Sequence, residues 1–171
     1  IPDPVCWTQV PERLKILSKQ RNRWQRGLMD SILLNIKMLF NPRYGIVGLL
    51  AMPFFFFFEM LGPVLEFSGY IVFFISWYFG IVSFTFALLF LAVAIVLGIV
   101  LSVSSLVLEE LSFRRYARVL DLVIIFVYAV LENFGYRQIN TWWRFKGFLD
   151  HILGKKGWGK MERKGFQAVK E

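Results

Sequence analysis

The sequence predicts an all-α membrane protein: an amphipathic interface helix followed by about four transmembrane helices. Three observations carry that prediction. First, no Asp, Glu, Lys, Arg or His occurs from Phe67 to Leu108. Those 42 residues would reach roughly 63 Å as a helix rising ~1.5 Å per residue. That is about twice the ~30 Å hydrocarbon core of a bilayer, so the stretch must cross twice, turning near Gly80 to Ser83. Second, 57% of the chain is hydrophobic and 18% aromatic, above the ~45–50% apolar content of soluble proteins. Third, Pro11 to Arg26 carries Arg13, Lys15, Lys19, Arg21, Arg23 and Arg26, opposed only by Glu12. A helix with that basic face lies in the membrane interface instead of crossing it.

Taken in order, residues 1–10 are Pro-punctuated, and Val5 to Val10 suit a short strand. Pro11 fits a first helical position, where its missing N–H is no loss, and Glu12 complements the positive end of the helix dipole. From Pro11 to about Phe40 the apolar residues Leu14, Leu17, Trp24, Leu28, Ile32, Ile36 and Leu39 recur at spacings of three, four or seven. This is helical periodicity, and Asn41-Pro42 ends it. Tyr44 to Leu61 is the first membrane segment, with a kink expected at Pro53; Gly62-Pro63 then signals a turn. Val64 to Ile81, Phe84 to Leu108 and Val119 to Tyr136 follow as the second, third and fourth. The predicted organisation is therefore residues 1–43 (end of a preceding domain plus interface helix), 44–136 (membrane region) and 137–171 (basic tail).

Charge distribution bears on orientation. The net charge is +8, from 20 Lys and Arg against 12 Asp and Glu, and the basic residues flank the apolar spans. That pattern fits anionic lipid headgroups and the positive-inside rule, with no motif for nucleic acid. Four crossings return the tail, with nine Lys and Arg against three acids, to the side of the basic helix. They also leave Arg114, Arg115 and Arg118 on the opposite side; a re-entrant first segment, giving three crossings, is the alternative. Cys6 is the sole cysteine, which excludes an internal disulfide and a cysteine metal cluster. The opening at Ile1, without Met or a signal peptide, reads as an interior position of a longer polypeptide.

The residues that suit chemistry are Gln20, Arg23 and Trp24, at i, i+3 and i+4 on one helix face. Arg offers a planar fork matched to phosphate oxygens, Trp a flat face for stacking on a sugar ring, and Gln both a donor and acceptors. The same residues also suit a simpler role, with Trp24 anchoring the helix in the interface and Arg23 meeting lipid phosphate. Glu59, Glu66, Asp121 and Glu132 lie in or near membrane segments, where acids are costly. They either line a polar path or pair with Arg114, Arg118 or Arg137. Tyr136, Trp142, Trp143 and Trp158 suit an interfacial aromatic belt or a sugar-stacking surface. Gly154 to Met161 nearly matches a phosphate-binding loop, but Met161 replaces the metal-binding hydroxyl residue and no strand precedes it. His151 stands without a sequence-adjacent set of metal ligands.

The stretch from Pro2 to Gly27, with its Q-R-N-R-W at Gln20–Trp24, resembles processive family-2 membrane glycosyltransferases. These include the cellulose, hyaluronan and poly-N-acetylglucosamine synthases. Their T-E-x-P element appears here as Thr8-Gln9-Val10-Pro11, so Gln9 stands where the family has Glu and is given no role. Phe40–Gly45, Glu59–Pro63, Glu132–Gln138 and Lys155–Gly165 extend the resemblance towards the bacterial poly-N-acetylglucosamine-synthase-like branch. It implies that Gln20 and Arg23 contact the nucleotide diphosphate or acceptor end, and that Trp24 forms a platform under the acceptor sugar. It further implies an inverting hexosyltransferase using a UDP-sugar, with Mg or Mn and the catalytic base held by an upstream α/β domain not in this chain. The implied partners are the UDP-sugar, the growing polysaccharide, membrane lipid and a small membrane accessory subunit. The implied location is a bacterial inner membrane, with the motif helix and tail cytosolic. The competing reading is a non-catalytic membrane anchor or transport subunit serving a separate enzyme.

Overall fold

The structure is a computed structural model that describes residues 10–113, 118–155 and 157. Every regular element among them is helical. The strand expected from Val5 to Val10 lies outside the described residues apart from Val10, which is in no regular element. The chain divides into two compact units, Ile1–Met60 with Trp143–Glu171, and Leu61–Trp142.

In the first unit, helix α1 runs from Leu14 to Leu34. It starts later than the Pro11 signal suggested. Arg13 is extended (φ −114°, ψ 133°), and its carbonyl accepts the first helical bonds, from Ile16 and Leu17. Pro11 and Glu12 therefore precede the helix. It also stops before the expected Phe40. The Asn35 side-chain amide donates to the Ser31 carbonyl at 2.9 Å, the local competition with backbone that makes Asn a poor helix continuer. A 3-10 turn, Ile36–Met38, follows. Asn41 then accepts from the Arg43 N–H at 3.0 Å and opens a second 3-10 turn at Pro42–Tyr44.

Gly48 anchors this corner. The Phe40 N–H donates to its carbonyl at 3.0 Å, and a Cβ there would lie 2.4 Å from the Asn41 carbonyl oxygen. Helix α2, Val47–Met60, carries the Phe54–Phe58 run. It is π-helical over Val47–Ala51, α-helical over Met52–Phe54 and π-helical again over Phe55–Met60. Pro53, expected to kink a regular helix, instead sits between widened turns. Its ring and missing N–H cannot continue an i→i−4 ladder, and local π adjustments are one way membrane helices re-satisfy the backbone groups a proline frees.

The second unit contains α3 (Gly62–Tyr78), α4 (Phe84–Phe113), α5 (Val119–Leu131) and the first turns of α6 (Tyr136–Ile152). The expected turn between the second and third segments is present, with Gly80 at φ +68° and the Ile81 N–H donating to the Ser76 carbonyl at 2.9 Å. Helix α4 has 30 residues, of which only Ala87, Gly98 and Leu106 are buried. Its other faces are apolar and exposed, the pattern of a lipid-facing helix. Helix α5 has 13 residues, about 20 Å at ~1.5 Å per residue, too short to cross a ~30 Å core alone. The chain turns after it at Gly135 (φ +97°).

The structure does not confirm about four separate spans. Among the described residues α4 alone is long and apolar enough to cross, and the count rises to three if α2 with α3, and α5 with α6, are each one broken span. The first part of the basic stretch from residue 137 is helical, within Tyr136–Ile152.

Two of the candidate acids in this unit, Glu66 and Glu132, have side-chain partners. Glu66 accepts from the Tyr70 hydroxyl at 2.6 Å and lies 3.6 Å from Arg137 Nε, one of the three arginines named as candidate partners. Glu132 accepts from Ser102 at 2.6 Å. Asp121 lies in the first turn of α5, where the helix dipole favours an anion. Arg114 lies outside the described residues. Asn133 is buried, its amide donating to the Ala129 carbonyl at 2.9 Å. Its Oδ1 lies where a Cβ on Gly98 would come within 2.4 Å, so Gly98 lets the turn after α5 close onto the middle of α4.

Candidate functional site

Helix α1 exposes one of the predicted residues, Trp24, and half-buries the other two. Its buried residues are Gln25, Met29 and Ile32, at i, i+4 and i+7. At ~100° per residue, Gln20, Arg23 and Trp24 fall in a sector centred about 150° away from that buried line. Trp24 is 58% exposed, while Gln20 and Arg23 are half-buried. The line expected from hydrophobic periodicity, through Leu14, Leu17, Trp24 and Leu28, is not the packed one. Leu14 is 63% exposed; of the residues on that line up to Ile32, only Ile32 is buried.

The indole of Trp24 is not bare. The guanidinium carbon of Arg21, three residues earlier, lies 4.8 Å from its ring centroid, a cation–π contact worth about 0.5–1 kcal/mol at an exposed position. An indole has two faces, and Arg21 occupies one of them. The arrangement offers a flat aromatic surface bordered by guanidinium groups, which is suited to an anion next to a ring.

The packed side of α1 is polar at its centre, and sequence periodicity gave no sign of it. Gln25 is 2% exposed. Its amide donates to the Met60 carbonyl at 2.9 Å, and its carbonyl oxygen accepts from Arg144 Nε at 3.0 Å. Arg144 Nη2 also donates to the Glu59 carbonyl at 2.6 Å and to its carboxylate at 2.9 Å.

The cause lies at the end of α2. Pro63 has no N–H to return to the Glu59 carbonyl four residues earlier. The Val64 N–H, which would serve Met60, goes to Leu61 at 2.9 Å. Two carbonyls are thereby orphaned, and a buried unpaired carbonyl costs about 1–3 kcal/mol. Gln25 and Arg144 supply the missing donors. The Gly62-Pro63 turn signal was legible; its demand for a buried glutamine and an arginine more than 80 residues downstream was not.

The end of α6 closes the same unit. Gly147 sits against α1, where a Cβ would lie 2.7 Å from the Asn22 carbonyl oxygen and 3.0 Å from Gln25 Cβ. The Asn22 amide donates to Asp150 at 2.9 Å, and His151 Nε2 lies 2.9 Å from Asp30. Arg26 donates to the Lys155 and Gly157 carbonyls. Desolvation pushes the Asp150 carboxyl upward, but hydrogen bonds from Lys155 and Asn22 outweigh it and hold its pKa below the ordinary 3.8.

Of the other aromatic candidates, Trp142 lies with its ring 5.4 Å from that of Phe67; Trp158 is outside the described residues, as are most of Gly154–Met161. Among the described residues no group of three or more His, Cys, Asp and Glu is placed to hold a metal ion. No protein-family model, curated protein or solved structure matches the chain.

Proposed function

We propose that this chain is the membrane-proximal part of a processive polysaccharide synthase that transfers sugar from a UDP-sugar and passes the product across a membrane. One observation carries the reading. Helix α1 packs through Gln25, Met29 and Ile32 and leaves the Trp24 indole 58% exposed on another side, with Gln20 and Arg23 half-buried on the same helix. An exposed tryptophan and a half-buried arginine on one basic helix suit an acceptor sugar and a departing diphosphate. In this reading Trp24 stacks under the acceptor ring, and Arg23 and Gln20 donate to the charge that develops as the diphosphate leaves.

The packing of α1 with the end of α6 also favours an even number of crossings, because the chain leaves and rejoins one unit. The proposed arrangement is one crossing by α2 with α3, a second by α4, and a re-entrant α5–α6 pair. In that arrangement Arg118 would share the side of the basic helix α1, in line with the positive-inside trend that four crossings would violate.

The test uses membranes containing the full-length protein, incubated with individual UDP-sugars and Mg²⁺ or Mn²⁺, with any polymer identified. Arg23→Ala should lower turnover roughly 10²–10³-fold, as loss of one donor to a developing charge does, with membrane insertion unchanged. Near-normal turnover in Arg23→Ala and Trp24→Ala, or no UDP release with any donor, overturns the proposal. The second outcome leaves the anchor or transport-subunit reading in its place.

A further inference from the structure

We infer that Arg144 is a positioning residue for the motif helix, holding α1 in the rotation that aims Trp24 outward. This inference rests on the synthase reading for its functional consequence, but the rotation itself can be measured without any activity. Arg144 lies on α6, about 120 residues downstream of the motif, in a stretch that composition alone marks only as a basic tail.

Its guanidinium is shared between three acceptors: the Gln25 side-chain oxygen, the Glu59 carbonyl and the Glu59 carboxylate. Gln25 is the residue directly after Trp24, and about 100° separates them around the helix. Fixing Gln25 therefore fixes the direction of the indole. The fork is suited to this because its donors lie in one rigid plane, so the angle between the two anchors is set as well as their distances.

Apolar contacts alone would hold α1 less specifically. Met29 and Ile32 are buried, but apolar surfaces slide without losing a directional bond, whereas a buried glutamine gives up its partners when the helix turns. Gly147 completes the device. With no side chain at the contact, α1 and α6 approach closely enough for Arg144 Nε to reach Gln25 at 3.0 Å. A lysine at 144 offers one ammonium in place of the planar fork, and cannot reproduce the same set of directed bonds.

The experiment uses the full-length protein in membranes, in a Cys6→Ser background, and reads two quantities. One is the labelling rate of a single introduced cysteine by a water-soluble maleimide, at Gly27→Cys on the open face or Met29→Cys on the buried face. The other is the split of kcat from the KM for UDP-sugar. With Arg144 intact, Gly27→Cys labels fast and Met29→Cys slowly. Arg144→Met should raise Met29→Cys labelling at least tenfold and lower kcat at least tenfold, with the KM for donor within about twofold. Arg144→Lys should give an intermediate value of each, and serves as the comparison if Arg144→Met does not insert.

An unchanged labelling pattern in both variants overturns the inference, whatever happens to activity. Shifted labelling with wild-type kcat also overturns it, since the rotation would then be irrelevant to turnover. If labelling shifts as expected but the unsubstituted protein forms no polymer, the synthase reading fails and the structural role of Arg144 stands.

Discussion

Replacing Gly147 by alanine tests whether the close approach of α1 and α6 holds the site together. The added Cβ would lie 2.7 Å from the Asn22 carbonyl oxygen, whereas ordinary contact begins near 3.4 Å. The helices would have to part by about 0.7 Å at that point, and the obstacle is backbone, which has no rotamer to swing away. A parting of that size would lengthen the Arg144–Gln25 bond from 3.0 Å beyond hydrogen-bonding range. Overpacking of this kind costs about 1–3 kcal/mol, and a buried amide left unpaired about 1–3 kcal/mol more. Against this, Gly→Ala in a helix interior is worth up to about 1 kcal/mol in propensity. Net destabilisation should therefore fall in the range of about 1–5 kcal/mol. Gly27→Ala is the matched control. It carries the same propensity gain within α1 and has nothing within 4 Å of its Cβ. In thermal unfolding of the full-length protein in a mild detergent, Gly27→Ala should match or exceed the parent, while Gly147→Ala melts several degrees lower. Equal melting temperatures for the two variants would refute the close-contact reasoning. Because Gly27 lies on the motif face, a loss of synthesis in the stable Gly27→Ala protein would separately show that this face must receive a large ligand.

Asp150 gives a pH signature. Its folded pKa lies below 3.8, so the folded protein binds that proton more weakly than the unfolded chain does. The stabilisation is present above about pH 4 and is lost as pH falls through the folded value. The melting-temperature gap between the parent and Asp150→Asn should therefore narrow between about pH 6 and pH 3; a constant gap would show that the carboxylate does not carry the contact. For the proposed topology, single cysteines at Lys15 and Ser112, in a Cys6→Ser background, should label from the same side of sealed vesicles. Labelling from opposite sides would restore the four-crossing arrangement.

Much of the helical architecture could be read from residues alone. The uncharged run from Phe67 to Leu108 demanded two helices with a turn near Gly80, and α3 and α4 meet at that turn. The apolar periodicity after Pro11 demanded a helix, and α1 is one. Two other features were not local properties. Hydrophobic periodicity picks out apolar stripes, so it aligned Trp24 with Leu14 and Leu28 and passed over Gln25. The packed face is set instead by two carbonyls that Pro63 and its turn leave without donors. Likewise the charge of residues 137–171 gives no sign of an enclosed arginine, since Lys and Arg are usually solvated. Arg144 is largely enclosed because it has distant acceptors waiting for it.

By itself, the sequence determined that this protein is helical, rich in membrane-suited surface and equipped with a basic helix bearing Gln20, Arg23 and Trp24. Those features depend on residue type and spacing, which a linear chain displays. Which side of that helix faces outward, and what holds it there, was decided only in three dimensions. The reason is that backbone groups orphaned at one turn had to be satisfied by side chains far away along the chain.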